Sequence, residues 1–88
     1  MSGVECSASF KGHEIRAFST WTNEAELCID GICLDTSRLR VFSSRQRILK
    51  AELRDGELTH TVEVYAKALL SVRLQICVDG RQVAGEVL

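Results

Sequence analysis

The second half of the chain alternates apolar and polar residues over an unusual length. From Val62 to Val78 every residue of one parity is apolar, and most residues between them are polar. Alternation with a period of two is typical of a β-strand with one buried face. Because this segment is longer than an ordinary strand, the pattern predicts two strands that reverse direction near residues 67–71.

Three Asp-Gly pairs divide the chain, at Asp30-Gly31, Asp55-Gly56 and Asp79-Gly80. Each lies between apolar or alternating segments. Asp-Gly favours the two-residue turn of a β-hairpin, because both central residues of that turn adopt positive φ. The sequence therefore predicts three Asp-Gly hairpins, and it shows no longer internal repeat.

The central hairpin has a predicted register. A turn at Asp55-Gly56 places Arg54 opposite Glu57 and Leu53 opposite Leu58. The facing positions then form one polar face and one apolar face, as expected of an antiparallel sheet with one wet side. The apolar face comprises Leu49, Ala51, Leu53, Leu58, His60 and Val62.

The first half has a similar but less regular pattern. Residues 4–10 and 14–20 are predicted to be paired strands, and residues 25–29 and 32–35 are predicted to form the Asp30-Gly31 hairpin. The core face of that hairpin is predicted to be Leu27, Ile29, Ile32 and Leu34.

Residues 37–48 fit two structures. The spacing of Leu39, Phe42, Leu49 and Leu53 fits an apolar helical stripe with Ser37 as its cap. A hairpin that turns at residues 43–44 fits as well, and strands are favoured because the neighbouring segments are strands.

Together these segments predict an all-β fold of six to eight short strands, either a small antiparallel β-sandwich or a partly open barrel. A length of 88 residues allows one domain, which spans residues 1–88.

Composition narrows the classes of function. The net charge of −1 argues against a globally basic nucleic-acid binder. No apolar run is long enough to span a membrane, and residues 1–5 lack the features of a signal peptide. We therefore expect a cytoplasmic protein that does not contact membranes.

Positive charge is concentrated between residues 36 and 51, where five cations and no acid occur. A hairpin here would direct Arg38, Arg40, Arg45 and Arg47 outward. Guanidinium groups bind oxyanions bidentately, so an arginine-rich hairpin at 38–50 is a candidate site for an anion or a nucleic acid. The alternative is a solvated strand face that discourages edge pairing.

Two of the four cysteines form a candidate redox pair. The Asp30-Gly31 turn places Cys28 directly opposite Cys33, within the distance that a disulfide spans. The alternative is two small apolar residues in adjacent sheet positions. No C-x-x-C motif is present, so we expect no metal site and no cofactor.

Few residues are candidates for catalysis. His60 falls on the predicted apolar face, where a histidine bonded to a backbone carbonyl is the common outcome, and His13 is expected to be solvated. Glu26 and Asp35 are expected opposite each other on a wet face. Without a nucleophile motif or a phosphate-binding loop, the sequence predicts a protein that is not an enzyme.

Three segments carry a resemblance to a known family. His13-Glu14-Ile15, the stretch 28–31 and the stretch 72–80 resemble the H-x-I strand, the D-G hairpin and the terminal strand of the Fas apoptosis inhibitory molecule family. The resemblance implies a compact antiparallel β-sandwich without a catalytic site. It also implies a role through protein contacts in apoptosis signalling and protein quality control.

The predicted function is therefore a non-enzymatic protein-binding module or a small regulatory domain with a protein partner. A homodimer formed through a sheet edge or an apolar face is also expected. The chain has no proline to guard its edges. Leu69 and Cys77 fall on the otherwise polar positions of the segment 62–78, and the apolar residues Val87 and Leu88 end the chain.

Overall fold

The computed structural model describes residues 4–20, 24–38, 42–68 and 71–88. Arg40 and Leu69, which the sequence singled out, lie outside these ranges. The strands are β1 (Glu5–Phe10), β2 (His13–Ser19), β3 (Glu24–Ile29), β4 (Ile32–Arg38), β5 (Phe42–Asp55), β6 (Leu58–Ala68), β7 (Val72–Val78) and β8 (Arg81–Gly85).

The strands form two antiparallel sheets in the orders β1-β2-β3-β4 and β5-β6-β7-β8. The predicted all-β fold is confirmed, and it is a sandwich in which each half of the chain supplies one sheet. None of the described segments is a helix that could cross a bilayer.

The core lies between the sheets. The long alternation of the sequence becomes β6 and β7, with Val62, Val64 and Ala66 fully buried. The first sheet contributes the opposite wall. The largest fully buried side chains are Ile15, Leu27, Leu49, Leu53, Ile76, Val62 and Val64.

The central hairpin has a different register from the predicted one. Asp55 pairs with Leu58 and Leu53 pairs with His60, so the turn lies at Gly56 and Glu57. The shift of two residues leaves every side chain on its predicted face, because faces alternate with a period of two. It moves Leu58 to the end of the hairpin, where it is 56% exposed.

The predicted hairpin at residues 43–44 does not form, and residues 42–55 are one continuous strand. Register shifts occur between Phe42 and Gln46 and between Arg47 and Leu49. These irregularities absorb extra residues while the strand keeps its partner β6. The uneven spacing of apolar residues that resembled a helix or a turn thus comes from bulges.

The two sheets are two copies of one structural unit, although the sequence alone revealed no repeat. Ile15 pairs with Ile29 in the first sheet as Val62 pairs with Val78 in the second. Each unit then turns through an Asp-Gly pair whose aspartate has a φ of 53°. The contacts between sheets follow the same symmetry, since β4 packs on β5 and β8 packs on β1.

A bulge also recurs at the equivalent place. Cys28 pairs with Cys33 and Leu27 pairs with Asp35, which leaves Leu34 without a cross-strand partner. In the second sheet Cys77 pairs with Gln82 and Ile76 pairs with Ala84, which leaves Val83 unpaired. Leu34 and Val83 are therefore equivalent residues, each at the bulge of an edge strand.

The first unit packs less completely than the sequence predicts. Ile32 and Leu34, assigned to the core face, are 64% and 50% exposed, whereas Leu27 and Ile29 are buried. Ile32 lies just after the turn, and the bulge redirects Leu34 toward the edge.

The repeat predicts where a second disulfide can form. Gln82 occupies the position that Cys33 has in the first unit, opposite Cys77. Gln82→Cys is therefore expected to oxidise to a bond with Cys77, detected by peptide mapping. Arg81→Cys is the control, because Arg81 pairs with Val78 instead, and oxidation of the control at the same rate would contradict the register.

Candidate functional site

A histidine–aspartate clamp closes the turn of the first unit. Asp30 occupies the first turn position, and its Oδ1 accepts the backbone N–H of Glu14 at 2.9 Å. Its Oδ2 lies 2.6 Å from Nδ1 of His13. The Asp30 amide in turn donates to the carbonyl of Glu14 at 2.8 Å. One aspartate thus ties the β3–β4 turn to the start of β2.

The second unit repeats this clamp. Asp79 Oδ1 accepts the backbone N–H of Thr61 at 2.9 Å, and Oδ2 lies 2.6 Å from Nδ1 of His60. The spacing of histidine and aspartate is 17 residues in the first clamp and 19 in the second. A histidine followed 17 or 19 residues later by the aspartate of an Asp-Gly pair is the sequence signal that could have identified the repeat.

The second ring nitrogen of each histidine has different surroundings. Nε2 of His13 lies 3.7 Å from Oδ1 of Asp55. Nε2 of His60 is buried with no hydrogen-bond partner among the described residues, and its ring packs edge-on against Phe10 at a centroid distance of 4.9 Å. The same clamp faces a carboxylate in one unit and an aromatic ring in the other.

Both histidine expectations need correction. His13 is not fully solvated, since its side chain is 27% exposed and bonded. His60 is bonded to the Asp79 carboxylate and not to a backbone carbonyl. The aspartates come from turns distant in sequence, so the local pattern could not identify them. Among the described residues no group of three or more His, Cys, Asp or Glu is arranged to hold a metal ion.

The clamps shift the pKa values of their members. The hydrogen bond to Asp30 is the main cause that raises the pKa of His13 above 6.5, opposed by partial burial and assisted by Asp55. The pKa of Asp30 is lowered below 3.8 by the His13 bond and then by the Glu14 N–H. The pKa of Asp79 is lowered by the bond from His60 and the Thr61 N–H.

The described arginines of the predicted site do not lie on one hairpin. Arg38 ends β4 in the first sheet, whereas Arg45 and Arg47 lie on β5 in the second. The predicted hairpin does not form because residues 42–55 are one strand. Arg47 pairs with Glu63 at 2.9 Å. Anion or nucleic-acid binding by these residues stays a prediction.

Arg45 covers a buried polar cluster on the outer face of the second sheet. Its guanidinium carbon lies 3.6 Å from the ring centre of Tyr65, and its Nε donates to Oε1 of Gln75 at 2.9 Å. Gln75 and Cys77 are only 5% and 3% exposed. Cys77 is therefore not the surface residue that the dimer prediction used.

Cys28 and Cys33 face each other as predicted and are joined by a disulfide, with Cα atoms 3.8 Å apart. Cys28 is 4% exposed, whereas Cys33 is exposed. The two sulfur-bearing residues therefore differ in solvent exposure, since Cys28 is buried and Cys33 is exposed.

The predicted carboxylate pair is not formed. Glu26 pairs with Thr36, and Asp35 pairs with Leu27, because the bulge at Leu34 shifts the register by one residue. Asp35 instead accepts the backbone N–H of Lys50 at 2.9 Å through Oδ2. It therefore connects the edge strands β4 and β5 of the two sheets.

A groove of about 430 Å³ lies at this seam, lined by Leu34, Lys50, Ala51 and Glu52. The equivalent seam lies between β8 and β1, and the bulge residue of β8, Val83, is half-buried and packs against the core. The two seams are related by the repeat. At the β4–β5 seam the bulge residue, Leu34, is half exposed.

The His13–Asp30 pair is expected to couple most strongly in mildly acidic solution. The depressed pKa of Asp30 contributes stability above the unfolded Asp value of 3.8, and it is lost as the pH falls through the folded value. The raised pKa of His13 contributes stability that is fully present below 6.5 and lost as the pH rises through the folded value.

A double-mutant cycle of His13→Gln and Asp30→Asn tests this expectation by urea unfolding. The coupling free energy should be larger at about pH 5.5 than at about pH 8.5, where the charge on His13 is lost. A coupling that does not change, or that increases, toward about pH 8.5 would contradict the ionic clamp.

Comparison with known protein families, with curated proteins and with solved structures finds no match. The resemblance to the Fas apoptosis inhibitory molecule family stays a prediction. The candidate features for function are the chain's own: the two clamps, the disulfide and the groove beside β4.

Proposed function

We propose that this chain is a non-enzymatic protein-binding module that accepts an extended segment of a partner protein along β4. The observation that carries the proposal is the bulge residue Leu34. It lines the groove at the β4–β5 seam and is 50% exposed, whereas its equivalent, Val83, packs against the core.

The position of β4 supports strand addition. It is the last strand of its sheet, so one row of its backbone N–H and C=O groups has no partner strand among the described residues. Edge strands of this kind accept an extended segment through main-chain hydrogen bonds, and adjacent pockets provide side-chain specificity. Bulges frequently adjoin such sites, because they redirect a side chain.

Asp35 binds one amide on each of the two edge strands at the seam. Its Oδ2 accepts the N–H of Lys50 on β5, and its Oδ1 accepts the N–H of Thr36 on β4. The exposed side chains of Ile32 and Leu34 favour β4 as the edge that receives the partner.

The exposed side chains define the partner's chemistry. Ile32 is 64% exposed and Leu34 is 50% exposed. Lys50 and Glu52 flank the groove with opposite charges. We infer an extended segment with apolar residues for the groove and no strong net charge. The resemblance to a family that acts through protein contacts supports the same class of function.

A phage-displayed library of unstructured peptides, selected against the wild-type domain, tests the proposal. Selected peptides should shift the amide signals of residues 32–36 and 50–52 in NMR spectra. Leu34→Glu should abolish binding by placing a charge in the apolar groove. Val87→Glu is the matched control, since Val87 is 85% exposed on the C-terminal segment, and it should bind normally.

Selected peptides that bind Leu34→Glu as tightly as wild type would contradict the site. The predicted homodimer is the rival occupant of the same edge. Sedimentation velocity separates the two, because a wild-type dimer that Leu34→Glu converts to a monomer would assign the groove to a second copy and overturn the proposal.

A further inference from the structure

We propose that Cys28–Cys33 is a reversible thiol–disulfide exchange site for small thiols of the glutathione class, with Cys33 as the attacked sulfur. The proposal is independent of the proposed function.

The structural repeat shows that the hairpin does not depend on the bond. In the second unit Cys77 and Gln82 hold the same register, with the same Asp-Gly turn and the same bulge, and no covalent link joins them. The short loop that Cys28–Cys33 closes, with a sequence separation of 5, also constrains the unfolded chain only weakly. Reduction is therefore expected to leave the sandwich folded.

Exposure distinguishes the two sulfurs. Cys33 lies on the edge strand β4 and is exposed, whereas Cys28 is 4% exposed and lies on the inner strand β3. An attacking thiolate needs access along the line of the S–S bond, so access favours attack at Cys33. The leaving sulfur is then that of Cys28.

The exchange balances in two steps. The thiolate of a small monothiol attacks Sγ of Cys33 and forms a mixed disulfide, and the S–S bond breaks to release Cys28 as a thiolate that takes up a proton. A second monothiol attacks the small-molecule sulfur of the mixed disulfide and releases Cys33, which is also protonated. The protein disulfide is reduced to two thiols while two monothiols are oxidised to one disulfide, and a small disulfide drives the reverse.

The other cysteines provide internal controls. Cys77 is 3% exposed beneath the Arg45–Gln75 cluster. Burial, assisted by the negative charge of Glu86, raises the pKa of the Cys6 thiol, which lowers its reactive thiolate fraction. Among the four cysteines, all of which lie in the described residues, only Cys33 is exposed to solvent.

The test incubates the oxidised protein with glutathione, quenches with acid and maps the mixed disulfide by mass spectrometry. The adduct should reside on Cys33. In the reduced wild-type protein, Cys33 should react with iodoacetamide at least about tenfold faster than Cys28 or Cys77. Circular dichroism should show an unchanged β-sheet spectrum after reduction.

Two variants complete the design. Cys28→Ser should still take up glutathione from glutathione disulfide through Cys33, whereas Cys33→Ser should not react at Cys28. An adduct on Cys28, a bond that glutathione opens only in urea, or loss of the β-sheet spectrum on reduction would each overturn the proposal. The alkylation measurement uses wild type alone, so the test remains decisive if Cys28→Ser fails to fold.

Discussion

The structure depends on a turn aspartate that performs two tasks at once. Asp30 and Asp79 adopt a φ of 53°, which Asp tolerates better than most residues, and this conformation starts each Asp-Gly turn. The carboxylate then reaches back across the sheet to a backbone N–H and a histidine. Charge-assisted hydrogen bonds of this kind are stronger than neutral ones, so each turn is fixed to the strand that carries the histidine, β2 in the first unit and β6 in the second.

The two units differ in the side chains that they place around this shared frame. At one equivalent position the first unit has Cys33 and the second has Gln82, and at another it has Leu34 where the second has Val83. The second unit uses these positions for internal contacts, since Gln75 Nε2 donates to Oε1 of Gln82 at 2.9 Å. The first unit places a disulfide and an exposed leucine there. This asymmetry is the reason that the first unit carries the proposed binding edge and the proposed exchange site.

Much of the fold followed from local sequence because its causes are local. Alternation from Val62 to Val78 and the Asp-Gly pairs predicted strands and turns, and the turn at Asp30-Gly31 predicted Cys28 opposite Cys33. The errors came from bulges and long-range contacts. A bulge at Leu34 displaced Asp35 from Glu26 by one residue, and Asp55 extended β5 past its expected turn, where its side chain reaches His13. A periodic pattern contains no signal for either effect.

The central claim is that each aspartate holds its neighbouring strand through the backbone N–H of Glu14 or Thr61. Amide hydrogen exchange of wild type, Asp30→Gly and Asp79→Gly tests it most directly, because glycine keeps the positive φ and removes only the carboxylate. Loss of the carboxylate should speed exchange selectively, at Glu14 in Asp30→Gly and at Thr61 in Asp79→Gly, because each amide loses its side-chain acceptor. Unchanged protection of these two amides in both variants would contradict the account.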